Sequence, residues 1–324
     1  MPGISVVITT YNGEKYIEEQ LRSVLDQTQK PDEVIIFDDC STDRTVDIVK
    51  GFINKNASCW SLSINQNNIG FIKNFHQAIG AAKGEYVFLC DQDDVWHRDK
   101  IEKMMLVFNS HKDVIALNTG FRPIGMDGSP LETSSLGVSY NKLLNSTVKE
   151  GSIKKIDIGH IIRKNISPGC TAAYKRDCIL FYLENASMRW PHDWELNIFA
   201  AMMDGLYFYG EKLVDYRIHT GNAIGFNIEK PISADTRYAR IGLAKKERDR
   251  TSLYNSRQCR ALMNAKCAKS FFAYHGFVCS RYKALRNKSF FGWIKTLTHV
   301  ILYIEAVGLK GMVGDLIFVI RGRA

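Results

Sequence analysis

The sequence predicts an α/β protein with a mostly parallel, doubly wound sheet flanked by helices and a further helical segment at its C-terminal end. Three observations predict it. Short β-branched runs alternate with segments of helical period over the first hundred residues. Three of those runs end in clusters of Thr and Asp. A basic tail rich in helix formers follows about residue 226.

The elements follow in order. Ile4-Ser5-Val6-Val7-Ile8 reads as a buried strand, and Asn12-Gly13 marks the turn that ends it. Tyr16, Ile17, Leu21, Val24 and Leu25 recur at helical spacing until Pro31 closes the segment. Residues 34–37 form a second strand, stopped at Asp38-Asp39-Cys40-Ser41, where Ser41 or Thr42 offers a cap for a helix carrying Val46, Ile48 and Val49. Residues 60–64 predict a third strand, 71–82 a helix after Gly70, and 86–89 a fourth strand ending at Cys90-Asp91-Gln92-Asp93-Asp94. This alternation implies right-handed crossovers between parallel strands. Residues 101–108 then read as helix and 114–118 as strand. Residues 120–168, rich in Gly, Ser, Asn and Pro, read as irregular loops with short strands. Order returns with a strand at 170–174, a short helix, a helix from Trp190-Pro191-His192-Asp193-Trp194 to 203, and two strands at 206–209 and 213–219. The division is a catalytic domain over 1–225 and a basic helical extension over 226–324.

Charge follows the same division. The chain of 324 residues carries +9, yet residues 226–324 hold 19 basic and 6 acidic side chains, against 24 and 28 before them. The end of the tail mixes Phe290, Phe291, Trp293, Ile294, Leu297, Val300, Ile301 and Ile304 with sparse Lys. Two readings stay open for it: an amphipathic segment on an anionic membrane surface, or packing against the core or a second copy in a homo-oligomer. The uncharged run at 296–304 is too short to span a bilayer. A secretory signal is not expected, since a strand-like run starts the chain without a basic segment before it. The eight cysteines show no C-x-x-C pair and read as reduced thiols. The expectation is a cytoplasmic protein, peripheral at the inner membrane face on the first reading of the tail.

In a parallel α/β sheet, ligands bind beyond the C-terminal ends of the strands. Three such ends carry Thr9-Thr10-Tyr11, Asp38-Asp39 and Asp91-x-Asp93. Any one alone is explained as a cap or turn; three on one rim are not. Asp91, Asp93 and Asp94 crowd like charges, which suits a hard cation, Mg²⁺ or Mn²⁺, bridging to phosphate. An EF-hand loop from Asp91 fails, because Val95 and Trp96 stand where a ligand and a Gly are required. Neither a P-loop nor a G-x-G-x-x-G after the first strand is present. Asp193 reads either as a helix cap or as a general base. His219, in Tyr216-Arg217-Ile218-His219-Thr220-Gly221-Asn222, ends a strand where a metal or phosphate contact would enter.

These residues resemble glycosyltransferase family 2. The likeness rests on Ile4-Ser5-Val6-Val7-Ile8-Thr9-Thr10-Tyr11-Asn12, Asp38-Asp39-Cys40-Ser41-Thr42-Asp43, Asn68-Ile69-Gly70 and Asp91-Gln92-Asp93-Asp94-Val95-Trp96, in that order. The Pro191-His192-Asp193-Trp194 and Tyr216-to-Asn222 segments are similar to its rhamnosyltransferase-like members of bacterial surface-polysaccharide synthesis. The resemblance covers residues 1–225 and none of the tail. It implies the GT-A fold, Rossmann-like, and an inverting transfer from a pyrimidine nucleotide-sugar, dTDP-rhamnose or a UDP-hexose, onto a glycan or lipid-linked acceptor. It also implies roles: Thr9, Tyr11, Asp39, Lys73, Asp91 and Gln92 at the nucleotide-sugar, Asp91, Asp93 and His219 at Mg²⁺ or Mn²⁺, and Asp193 as base. Two rival readings remain at this level. A sugar nucleotidyltransferase needs a basic, Gly-rich loop after the first strand, and residues 9–13 lack one. A nucleic-acid-binding protein accounts for the basic tail but not for the acidic rim, and nucleic acid is not expected as a partner.

Overall fold

The computed structural model describes residues 3–56, 59–132, 147–219 and 237–321. They pack as two units, one within 1–156 and 165–228, the other within 157–164 and 229–324.

The first unit is built on a mixed sheet. Its strands are β1 (Ile4–Thr10), β2 (Glu33–Asp38), β3 (Trp60–Ile64), β4 (Tyr86–Cys90), β5 (Val95–Trp96), β6 (Ala116–Ile124), β7 (Ile153–Lys155), β8 (Ala172–Lys175) and β9 (Leu206–Arg217). The order across the sheet is β3-β2-β1-β4-β8-β6-β9-β5, with β7 also paired to β9. β1 is buried along its whole length, as expected for a central parallel strand written as a continuous apolar run. Helices α1 (Ile17–Leu25), α2 (Thr45–Asn56), α3 (Phe71–Ala81) and α4 (Lys100–Ser110) connect the early strands. α1 buries Ile17, Leu21 and Val24, the stripe that its spacing predicts.

The parallel register pairs Thr10 with Asp38 and Ile8 with Cys90. The residues that follow these strands, Tyr11, Asp39 and Asp91, therefore leave from one rim. The chain turns from β1 to β2 on one side and returns through β3 to β4 on the other, so β1 and β4 flank the topological switch point, where α/β sheets open a crevice for ligands.

β8 runs antiparallel between β4 and β6, so the sheet is mixed around its parallel strands. Two features depart from the sequence reading. The two strands expected at 206–209 and 213–219 are one strand, β9, with register shifts against β6. Gly210 does not break it; a Cβ there would collide with the Lys149 carbonyl, so the glycine admits a close backbone approach. Ser41 and Thr42 do not cap α2. Ser41 Oγ and the Thr42 N–H bond Asn12, and Asp43 accepts from the Thr45 N–H at 3.0 Å instead.

The second unit is helical. The charged stretch from 237 to 269 is interrupted rather than continuous. Arg237–Leu253, Arg257–Leu262 and Ala265–Arg286 are separate helices, the last two capped by Ser256 and Asn264. Phe290–Thr296 and Val300–Arg321 follow, the latter kinked at Gly308 with φ 72°. Asp315, fully buried, takes Arg281 at 2.8 Å, Arg240 at 3.0 Å and the Tyr303 hydroxyl at 2.8 Å. No disulfide joins the cysteines, all of which lie among the described residues.

Candidate active site

One side of the rim is built by β1, β2 and the start of α3. Asp38 is spent inside the fold, accepting from Thr10 Oγ1 at 2.7 Å and from the Ser41 N–H at 2.8 Å. Asp39, 3% exposed, faces the other way. Its Oδ1 accepts from Asn65 Nδ2 at 3.0 Å and the Ile69 N–H at 2.9 Å, and its Oδ2 from the Gly70 N–H at 2.9 Å. A carboxylate offers about four acceptor positions, so one on Oδ2 is left for an incoming N–H. Gly70, at φ 85°, permits the turn that presents two consecutive amides. Thr9 is buried beside this point at the end of β1, and Tyr11 just beyond is exposed. Gln92 braces Tyr11 rather than opening to solvent. It accepts from the Tyr11 N–H at 2.8 Å and donates to the Tyr11 carbonyl at 3.0 Å. Lys73 lies exposed on the first turn of α3; the inward residue there is Asn74, which accepts from Asn65 Nδ2 at 2.9 Å.

The acidic turn after β4 is brought together with the end of β9. His219 Nε2 lies 2.8 Å from Asp93 Oδ2, and its ring sits 5.2 Å from that of Tyr16. Asp94 is fully buried, with Oδ1 accepting from the Arg217 N–H at 2.9 Å. Burial, with the neighbouring charges of Asp93 and Asp193, pushes Asp91 up to about 7. Burial pushes Asp94 well above the carboxylate range too. Lys100, buried over the Trp96 face at 3.8 Å and donating to the Cys170 carbonyl, is lowered to about 8 by the same loss of solvent.

Asp193 lies on the helix His192–Met202, whose cap is Pro191 without a side-chain bond. The cap reading therefore fails: Asp193 is inside the first turn, and its Oδ2 accepts from Asn165 Nδ2 at 2.6 Å. Burial raises its carboxyl to about 6. The Asp193 charge acts on Asp91, so this carboxyl and the acidic turn lie in one neighbourhood. His192 beside it is stacked on Phe75 at 3.7 Å and lowered to about 3 by burial, hence neutral. Thr220, Gly221 and Asn222 lie outside the described residues.

Sequence reasoning missed the residues that orient these groups. Asn165 Oδ1 accepts from Asn197 Nδ2 at 3.2 Å, and Asn197 Oδ1 accepts from Asn118 Nδ2 at 2.8 Å and the Tyr174 hydroxyl at 3.1 Å. Arg217, 2% exposed, donates to the Asp93 carbonyl and to Glu19. The three amides and the tyrosine come from four separate parts of the chain, so no spacing announces them. Arg217 sat in a motif already noted, two residues before His219, and that was the available signal.

Residues 5–167 match the family Glycosyl transferase family 2. The dTDP-rhamnosyl transferase RfbG of Shigella flexneri is 28% identical over 299 residues, spanning 87% of this chain and 95% of that protein. A putative teichuronic acid biosynthesis glycosyltransferase, TuaG of Bacillus subtilis, is 33% identical over 45% of this chain and 59% of its own. Among solved structures, residues 1–349 of S. aureus TarS, in complex with UDP-GlcNAc, superpose with a TM-score of 0.55 at 18% identity, covering 97% of this chain and 81% of that one. The mannosyltransferase PcManGT of Pyrobaculum calidifontis, in complex with GDP-Man and Mn²⁺, gives 0.50 at 17% identity, covering 98% and 86%. These structures share the fold, GT-A. With its family match running through the Asp39 rim and the acidic turn, the chain is a glycosyltransferase and belongs to glycosyltransferase family 2.

Proposed function

We propose that the protein is an inverting, divalent-cation-dependent transferase. It moves a sugar from a pyrimidine nucleoside diphosphate, rhamnose from dTDP-rhamnose or a hexose from a UDP-sugar, to a glycan or lipid-linked acceptor of a surface polysaccharide. The observation that carries the reading is Asp193, a desolvated carboxylate raised to about 6, aimed by Asn165 and close to the acidic turn. The family membership removes the nucleotidyltransferase reading, and the rhamnosyl transferase relative spanning nearly the whole chain supports the donor class.

Asp39 takes the imide N–H of a uracil or thymine at its remaining acceptor position, with Thr9 beside it and the Tyr11 ring against the base. Gln92 fixes the Tyr11 backbone for that contact. Lys73, exposed nearby, meets the nucleotide only at its outer edge. The crowded carboxylates fit a hard cation: burial, with the charges of Asp93 and Asp193, drives Asp91 up, and oxygen donors are what Mg²⁺ or Mn²⁺ prefers. Asp91, Asp93 and His219 would hold that ion, and when bound it would supply positive charge to offset that gathering on the departing diphosphate. Asp193 removes the proton of the acceptor hydroxyl. That oxygen bonds the anomeric carbon as the carbon–oxygen bond to diphosphate breaks on the opposite face, inverting the centre. Burial of Asp193 keeps water from replacing the acceptor.

The tail supports a peripheral position. No described helix is long and apolar enough to cross a membrane. Phe291 and Ile301 are nonetheless about 70% exposed, in a segment whose basic residues suit an anionic surface. A donor panel of UDP- and dTDP-sugars, assayed for nucleotide release with an acceptor extract, tests the proposal. Donor-dependent release by the natural chain and its loss in Asp193→Asn, with donor binding kept, are expected. Near-normal turnover in Asp193→Asn removes the base assignment.

A further inference from the structure

A different set of donor atoms lies on the buried side of the acidic turn. A carboxylate oxygen of Asp91, one of Asp94 and the sulfur of Cys170 all lie within 4.8 Å of one another. Cys170 is 1% exposed and Asp94 fully buried. The set is assembled from two elements that meet across the sheet, the turn after β4 and the short Gly169–Thr171 turn that leads into β8.

Asp94 carries the second observation. While Oδ1 is held by the Arg217 amide, Oδ2 is buried and has the Cys170 thiol, a weak donor, as its partner. A carboxylate oxygen buried against so weak a donor is poorly satisfied and open to a stronger binding group. A cation entering there would meet two carboxyls and a thiol, with Lys100 bonded to the Cys170 carbonyl beside them.

We propose that Asp91, Asp94 and Cys170 form a second cation site, with a thiolate ligand, that takes a borderline or soft divalent ion such as Zn²⁺ or Cd²⁺. A thiolate is a poor ligand for Mg²⁺ or Mn²⁺ and a strong one for these ions. Zn–S and Zn–O bonds of about 2.3 Å and 2.1 Å require the three donors to draw in by roughly an ångström. Binding breaks the S–H bond and forms a metal–sulfur bond; the thiol proton, and any proton on the carboxyls, passes to solvent, with no change of oxidation state. Asp91 belongs both to this set and to the oxygen-rich set with Asp93 and His219. An ion bound through Cys170 therefore withdraws Asp91 from the outer set and inhibits transfer.

The binding test uses Cd²⁺ alone on the full chain, without sugar nucleotide, in a thiol-free reductant, so its outcome does not depend on the transferase reading. The ultraviolet sulfur-to-cadmium charge-transfer band is titrated in the natural chain and in Cys170→Ser, Asp94→Asn and His219→Ala. The expected result is a saturable band of one equivalent that is absent in Cys170→Ser. Asp94→Asn should need at least about tenfold more Cd²⁺, and His219→Ala should keep the band. Should Cys170→Ser fold poorly by circular dichroism, Asp94→Asn, which keeps the thiol, decides the question. An unchanged band in Cys170→Ser, an unchanged midpoint in Asp94→Asn, or no band in the natural chain overturns the proposal. In the donor assay, Zn²⁺ should inhibit the natural chain and spare an active Cys170→Ser. Absence of transfer in the natural chain would instead count against the proposed function and leave the cadmium result standing.

Discussion

Arg217 donates from Nε to the main-chain carbonyl of Asp93 at 2.8 Å, while its own backbone N–H donates to the carboxylate of Asp94 at 2.9 Å. One buried side chain at the end of β9 thus fixes the acidic turn after β4. Its remaining donors reach Glu19 at 2.6 Å and the Gly125 and Met126 carbonyls, and its guanidinium lies 4.7 Å from the centre of the Tyr16 ring. His219, two residues on, takes the Asp93 carboxylate itself.

Replacing Arg217 by Met should therefore damage both stability and the site. The Asp93 carbonyl loses its donor in a buried place and the Gly125 and Met126 carbonyls lose theirs in partly exposed ones, which together costs about 3 kcal/mol; the Glu19 end is exposed and adds little. A melt should show Tm lower by roughly 5–10 °C. Arg217→Lys keeps the charge but not the fork, so it should restore part of the Tm while leaving the donor KM raised. A donor KM that follows Tm in both variants would assign Arg217 to folding alone.

Chelation is the second expectation. If Asp91, Asp93 and His219 hold a hard cation, excess EDTA should abolish donor-dependent nucleotide release, and Mn²⁺ or Mg²⁺ should restore it. His219→Ala should raise the Mn²⁺ concentration needed for half-maximal activity by about tenfold. Undiminished activity in EDTA would leave the acidic turn without a metal role.

Asp193 gives a prediction with two signs. As a base it must be ionised, so kcat/KM should fall about tenfold per unit below pH 6 and level off above it. For stability the direction is opposite. A carboxyl raised from 3.8 to about 6 by burial destabilises the fold when ionised; the cost is absent below the lower value and complete above the upper. Asp193→Asn should thus abolish transfer yet stabilise the protein at pH 7.5, by on the order of 2 kcal/mol, with the gain vanishing near pH 4. A variant less stable than the natural chain at pH 7.5 would mean that the Asn165 bond outweighs the desolvation.

How far the sequence could be read follows from which interactions are local. β1, β2 and β4 were legible because a parallel central strand is a continuous apolar run, and their parallel register then places Tyr11, Asp39 and Asp91 on one rim. The antiparallel insertion of β8 was not legible, because Ala172–Lys175 reads the same in either direction. The site divides in the same way. Asp39, Asp91 and Asp193 sit in motifs, whereas Asn165 belongs to a stretch without periodicity and meets Asp193 only through the tertiary fold. Gln92 and Asp94 show the limit of motif reading: both lie in the acidic motif, yet one braces the Tyr11 backbone and the other holds the Arg217 amide through Oδ1.

Gly169 supplies a test of positioning. A Cβ on it would stand 3.1 Å from the Asp193 Cβ and 3.3 Å from His192 Nε2, tighter than ordinary contact. Gly169→Ala should push the first turn of the His192–Met202 helix outward by a few tenths of an ångström. A roughly tenfold fall in kcat is expected with donor affinity unchanged, since the nucleotide rim is built elsewhere. A change in donor affinity with kcat intact would separate Gly169 from the base.

The exposed end of the tail decides between a membrane and a second copy. Phe291, Ile301, Leu309, Val313 and Ile320 are each at least half exposed, while Tyr303, Asp315 and Val319 are buried and hold their helix to its own unit. Exposed Lys288, Lys295, Lys310 and Arg321 accompany the apolar residues, and each is worth about 1 kcal/mol against an anionic surface. The full chain should sediment with vesicles containing anionic lipid, release them as salt is raised, and ignore zwitterionic ones. Phe291→Ser with Ile301→Ser should weaken that binding by at least about tenfold without lowering Tm, since neither side chain is buried. If the double variant instead binds vesicles normally and converts a dimer to a monomer in sedimentation velocity, the face belongs to a second copy.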